Sequence, residues 1–164
     1  MLCLLIFSFF ASADVPQKNV AAAYEKAATL NNASFVTEIV FSAGSSELSA
    51  DGQSQLRDVL TAASQRGKIE NVKVLSWADA EYPRKGKLGK DATKLADDRS
   101  QEIEGYIADN AKGVKVEGHN MAESHSVLAT LLKSDDARVK RSLEQAGLSV
   151  PAKSGMPGKA GRSL

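Results

Sequence analysis

A chain of 164 residues with 21 basic and 20 acidic side chains, formal charge +1, is one domain with appendages and has no bulk charge for binding nucleic acid. A hydrophobic content of 43 % with only 5 % aromatics supplies a single core of ordinary size. Cys3 is the one cysteine, so the chain has no internal disulfide framework.

Residues 1–13 (Met-Leu-Cys-Leu-Leu-Ile-Phe-Ser-Phe-Phe-Ala-Ser-Ala) open on an apolar run too short to span a bilayer. Ala11-Ser12-Ala13 fits a small-x-small cleavage pattern, and the segment reads as a secretory signal peptide lacking its basic start. The alternative is an interior apolar segment of the fold. Cys3 stands at the beginning of the run and not at the cleavage point, so the expectation is an exported chain from Asp14 with no lipid anchor. No later run reaches transmembrane length.

Residues 14–33 form an alanine-rich helical lead-in, with Val20, Tyr24, Ala27 and Ala28 at helical spacing. Ser34–Phe41 reads as a strand by its β-branched and aromatic content. Ser42-Ala43-Gly44-Ser45-Ser46 is a loop of small residues. Ser49 can cap a helix running to about Arg66, with Leu56, Val59, Leu60 and Ala63 inward and Gly67 as its stop. Ile69–Trp77 is a second strand that leads into Ala78-Asp79. An irregular basic segment with Arg84, Lys85, Lys87 and Lys90 follows, and it reads as a solvated surface or as the border of a pocket. A helix over 91–110 buries Leu95, Ile103, Tyr106 and Ile107, Gly113 ends it, and Val114–Glu117 is a third strand. Residues 125–148 carry two helical stripes, Val127, Leu128, Leu131 and Leu132, then Val139, Leu143 and Ala146. Residues 149–164, rich in Gly, Pro and basic side chains, read as a disordered tail.

The order β-α-β-α-β followed by helices predicts an α/β (α+β) fold, a mixed sheet with helices packed on one face and extra C-terminal helices. Within it, Leu95, Arg99, Ile103 and Ile107 recur every four residues, which places Arg99 on the helix face that meets the sheet. A guanidinium there needs a carboxylate or a ligand. Asp79, at a strand's carboxyl end, lies where open α/β sheets keep their crevice. If the two meet, they form a cradle for a ligand bearing both an amine and a carboxylate. The alternative is a structural ion pair between Arg99 and Asp97, Asp98 or Asp79.

Phe41-(x)6-Leu48-Ser49, then Val74-x-x-Trp77-Ala78-Asp79, then Leu95-Ala96-x-x-Arg99-Ser100-x-x-Ile103-x-x-Tyr106-Ile107 resembles the OmpA-like peptidoglycan-binding domain family over residues 34–124. Gly118-His119-Asn120-Met121-Ala122-Glu123-Ser124 resembles that family's turn after its third strand. The resemblance implies a two-layer sandwich in the periplasm of a Gram-negative envelope, associated with the outer membrane, that binds the diaminopimelate-containing stem peptide without catalysis. Asp79 would then receive the amine and Arg99 the carboxylate, a pairing that charge-assisted and bidentate bonds favour. Gly44, Ser45, Trp77 and Asp91 complete the expected ligand-binding set. The departures are Ala78 in place of a threonine, Ala92 in place of an asparagine with Asp91 beside it, and a longer segment over 80–90. A protein-interaction module of an envelope or secretion assembly, with peptidoglycan binding lost, is the rival these departures support. His119 and His125 show no metal-ligand spacing, and no nucleophile elbow surrounds the serines, so neither a metal, a cofactor nor an enzyme activity is expected.

Overall fold

The most apolar stretch of the chain lies in the middle of its sheet. The computed structural model describes residues 2–10, 17–80, 88–123 and 135–147. Its elements are β1 (Leu2–Phe10), α1 (Gln17–Leu30), β2 (Phe35–Phe41), α2 (Ala50–Arg66), β3 (Ile69–Ser76), α3 (Lys90–Asn110), β4 (Lys115–Asn120) and α4 (Asp135–Ala146). The strands form one sheet in the order β2-β1-β3-β4, with every neighbouring pair parallel. Ile6 stands opposite Thr37 on one side and Val74 on the other; Ser8 stands between Ile39 and Ser76.

Both faces are covered. Leu4 and Ile6 of β1 join Ile39, Phe41, Val72 and Val74 beneath Leu56 and Leu60 of α2 and Ile103 and Ile107 of α3. On the opposite face, Leu5, Phe7 and Leu75 pack against Tyr24 and Ala27 of α1 and Val139 and Leu143 of α4. A parallel strand buried on both sides has no polar face, so it reads as a continuous apolar run. That is why Leu2–Phe10 has the composition of a signal peptide.

The expected α/β class is the one observed, and its arrangement is different. The sheet is wholly parallel where a mixed one was expected, and the layers number three, with helices on both faces. The N-terminal apolar run forms an interior strand over residues 2–10, which is the alternative to the detachable segment expected over 1–13. The helical lead-in is also part of the core, with Ala27 fully buried and the Tyr24 ring stacked 4.4 Å from that of Phe7. Residues 11–13, the basic positions Arg84, Lys85 and Lys87, His125, the stripe from Val127 to Leu132 and the tail from 149 lie outside the described residues.

The strand order fixes where the chain reverses. α1 carries it from β1 outward to β2, then α2 carries it back over β1 to β3 on the opposite face. The carboxyl ends of β1 and β3 therefore flank the point where ligands of such sheets usually sit. Ser49 caps α2, its Oγ accepting the Gly52 N–H at 3.1 Å. A Cβ at Gly52 would come 2.9 Å from Leu48 Cδ1, so any larger residue there needs the Leu48 side chain to shift.

Leu4, Leu5, Ile6 and Phe7 are each at most 1 % exposed. At about 1.5–3 kcal/mol per buried side chain these four are worth roughly 6–12 kcal/mol, comparable with the whole stability of a domain. A chain starting at Asp14 is accordingly expected to lose cooperative thermal unfolding, followed by circular dichroism. A melt as sharp and as high as that of the full chain would contradict the central placement of β1.

Candidate functional site

Arg99 is on α3, whose sheet-facing side runs Ala96, Arg99, Ser100, Ile103, Ile107. Small residues let this helix lie close to the strands: Ala96 packs against Ala78 and Ala122. Asn120 at the end of β4 holds the helix in register. Its Nδ2 donates to Thr93 O at 2.9 Å and Asp97 Oδ1 at 2.7 Å, while its Oδ1 accepts the Ala122 N–H at 2.7 Å.

So placed, the Arg99 side chain is 0 % exposed and reaches the carboxyl ends of β2 and β3 at once. Nε donates to Ser45 O at 2.9 Å, Nη1 to Trp77 O at 2.9 Å and Nη2 to Ser42 O at 3.2 Å. Nη2 also lies 2.5 Å from Asp79 Oδ1. The guanidinium carbon stands 5.1 Å from the centroid of the Phe41 ring, an added cation–π contact. Because β1 runs between β2 and β3, this one side chain bridges the two strands that flank the central one.

Asp79 keeps 22 % of its side chain exposed, and its Oδ2 accepts the Gly44 N–H. Gly44 sits at φ +68°, a left-handed conformation that glycine adopts without penalty. The structure thus brings together Asp79, Arg99, Gly44 and Ser45. The ion-pair alternative for Arg99 is realised with Asp79. Trp77 contributes its carbonyl, while its ring packs beside Phe7 (centroids 6.0 Å apart) on the face of α1 and α4. Asp91 is exposed in the first turn of α3, eight residues before Arg99 and so about 12 Å away along the helix axis. It is not brought to the pair, and its place favours the positive end of the helix dipole.

The pair lines neither of two concavities formed by the described residues. One, about 560 Å³, lies between the C-terminal ends of α2 and α3, over Leu60, Ile69 and Val114. The other, about 450 Å³, lies between α3 and β4, bordered by Asp97, Glu104, Glu123 and Lys140. Gly118 is part of β4 and not of a following turn; a Cβ there would come 2.2 Å from Glu104 Oε1. A separate charge pair lies on the face of α1 and α4, with Lys73 Nζ 3.6 Å from Glu117 Oε2 and Lys73 only 3 % exposed. Burial raises the Glu117 carboxyl, but hydrogen bonds from Lys115 and Asn71 and the charge of Lys73 outweigh it and hold it below the usual carboxylate range.

The sequence reading missed the carbonyls of Ser42 and Ser45 as partners of Arg99, since a main-chain acceptor has no residue signature. It also missed Asn120, whose signal is a lone amide at a strand end. No group of three or more His, Cys, Asp or Glu side chains suited to a metal occurs among the described residues. Nor is any described helix long and apolar enough to cross a membrane. The chain matches no protein-family model, no curated protein and no solved structure.

Removing Arg99 takes the ion-pair partner from Asp79 and the shared donor from three carbonyls. Arg99→Met is expected to cost about 3–5 kcal/mol, and Arg99→Lys to recover only part, because an ammonium lacks the planar fork. Urea denaturation of both variants measures this; a loss below about 1 kcal/mol in Arg99→Met, the level of a surface pair, would contradict the tether.

Proposed function

We propose that the chain is a non-catalytic module that binds the stem peptide of peptidoglycan, with Asp79 receiving the amine of diaminopimelate. One observation carries this reading: a partly exposed carboxylate at the end of β3 is oriented by a buried arginine at the carboxyl edge of the sheet. The motif order that resembles the OmpA-like family supplies the ligand. Asp79 is the group an ammonium can reach. Arg99, fully buried, acts first as the residue that holds Asp79 and the loop after β2 in place. The ligand's carboxylate engages it only where that loop yields. In this reading the protein works in the cell envelope as an anchor to the wall, and β1 stays in place as part of the working fold.

A second reading has its own support. By the contacts above, one N–H each of Nε, Nη1 and Nη2 is directed at a carbonyl of the protein itself, three of the five a guanidinium carries, and Asp79 stands at ion-pair distance from Nη2. Such an arginine suits a scaffold whose ligand site is closed, and the module then serves an envelope or secretion assembly through protein contacts.

Co-sedimentation of the full chain with purified sacculi separates the two. The anchor reading expects binding that Asp79→Asn, assayed well below its own melting temperature, weakens by at least about tenfold, the scale of a lost charge-assisted contact. No sedimentation of the unmodified chain would reject the anchor and leave the interaction module.

A further inference from the structure

We infer that the loop after β2, residues 42–45, is an internal stand-in for the ligand, and that binding exchanges it for the ligand's own groups. The inference rests on the stem-peptide reading above and adds a competitor to it. The polarity of the loop's contacts is the argument. Toward Asp79 it presents a donor, the Gly44 N–H, where the ligand would present an ammonium. Toward Arg99 it presents two acceptors, the carbonyls of Ser42 and Ser45, where the ligand would present a carboxylate. Donor and acceptors fall within four consecutive peptide units, so the backbone offers both halves of a zwitterion at once.

The loop is also built to leave. Between Phe41 and Leu48, which are 2 % and 4 % exposed, the residues are Ser42-Ala43-Gly44-Ser45-Ser46-Glu47, with no large apolar side chain to anchor them. Ser42, Ala43 and Gly44 are exposed. Both ends are fixed: Phe41 lies under the guanidinium, and Ser49 caps α2. Lifting 42–45 breaks the bonds to Asp79 Oδ2, Arg99 Nε and one to Nη2. It leaves Arg99 bound to Trp77 O and to Asp79 Oδ1, so the pair stays oriented when the loop opens. Apparent affinity is then lower than intrinsic affinity by the fraction of molecules with the loop open.

Gly44 provides the test. Its left-handed φ is required only in the closed form, and a Cβ added there meets nothing within 4 Å. Gly44→Ala therefore strains the closed loop without a clash. A side chain's penalty in that conformation corresponds to about a fivefold shift toward the open form. Calorimetric titration with a synthetic stem tripeptide ending in meso-diaminopimelate is expected to show Gly44→Ala binding about fivefold more tightly than the unmodified chain. Circular dichroism checks that the fold is kept. Binding by Gly44→Ala alone would also support the exchange. Equal or weaker binding by Gly44→Ala, with the unmodified chain binding, would overturn the exchange and leave the stem-peptide reading standing. No binding by either chain would overturn both.

Discussion

The contact on which the rest of this molecule depends is the fan of bonds from Arg99. Four short interactions run from one buried guanidinium to the carboxyl ends of β2 and β3, the two strands that enclose β1. A charge so deep is tolerated only with its hydrogen bonds satisfied. Here the satisfying groups come from two loops that share no secondary structure, so the need to pair the arginine ties both loops to α3. At the carboxyl edge of the sheet, the loop after β2 and the end of β3 are thereby joined through one side chain.

That arrangement needs α3 to lie close to the sheet at one end. Ala78, Ala96 and Ala122 allow the approach, Gly118 admits Ser100 and Glu104, and Asn120 fastens the first turns of the helix to the end of β4. Lower down the same helix, Ile103 and Ile107 enter the apolar cluster with Leu56 and Leu60, and Tyr106 donates to Gln53 O at 3.0 Å. Two kinds of contact thus divide one helix, with polar ordering toward its start and apolar burial toward its end.

Much of this is visible in the letters. Ser49 and Gly67 bound α2 as capping chemistry predicts, and the four-residue spacing through Arg99 puts it on the buried side. The strand content of Phe35–Phe41 and Ile69–Ser76 is equally plain. Leu2–Phe10 could not be placed that way. An apolar run of that length serves equally as a signal core or as a strand buried on both faces, and periodicity does not separate them. Without β1 in the count, the sheet's middle is empty, and both its parallel order and its second helical layer are lost from view. The main-chain partners of Arg99 and Asp79 were hidden for another reason. Gly44, Ser42 and Ser45 act through main-chain atoms, whose placement follows from the turn and not from side-chain type.

The central claim is that Arg99 is held by the protein's own loops. The most direct measurement is solvent exchange and side-chain rotation of the Arg99 guanidinium by nitrogen-15 magnetic resonance of the full chain. The structure predicts a slowly exchanging Nε–H and distinct, hindered Nη signals, since Ser45 O, Trp77 O and Ser42 O each hold a separate N–H group and Asp79 pairs with the charge. An Nε–H that exchanges as fast as that of an exposed arginine, with averaged Nη signals, would contradict it.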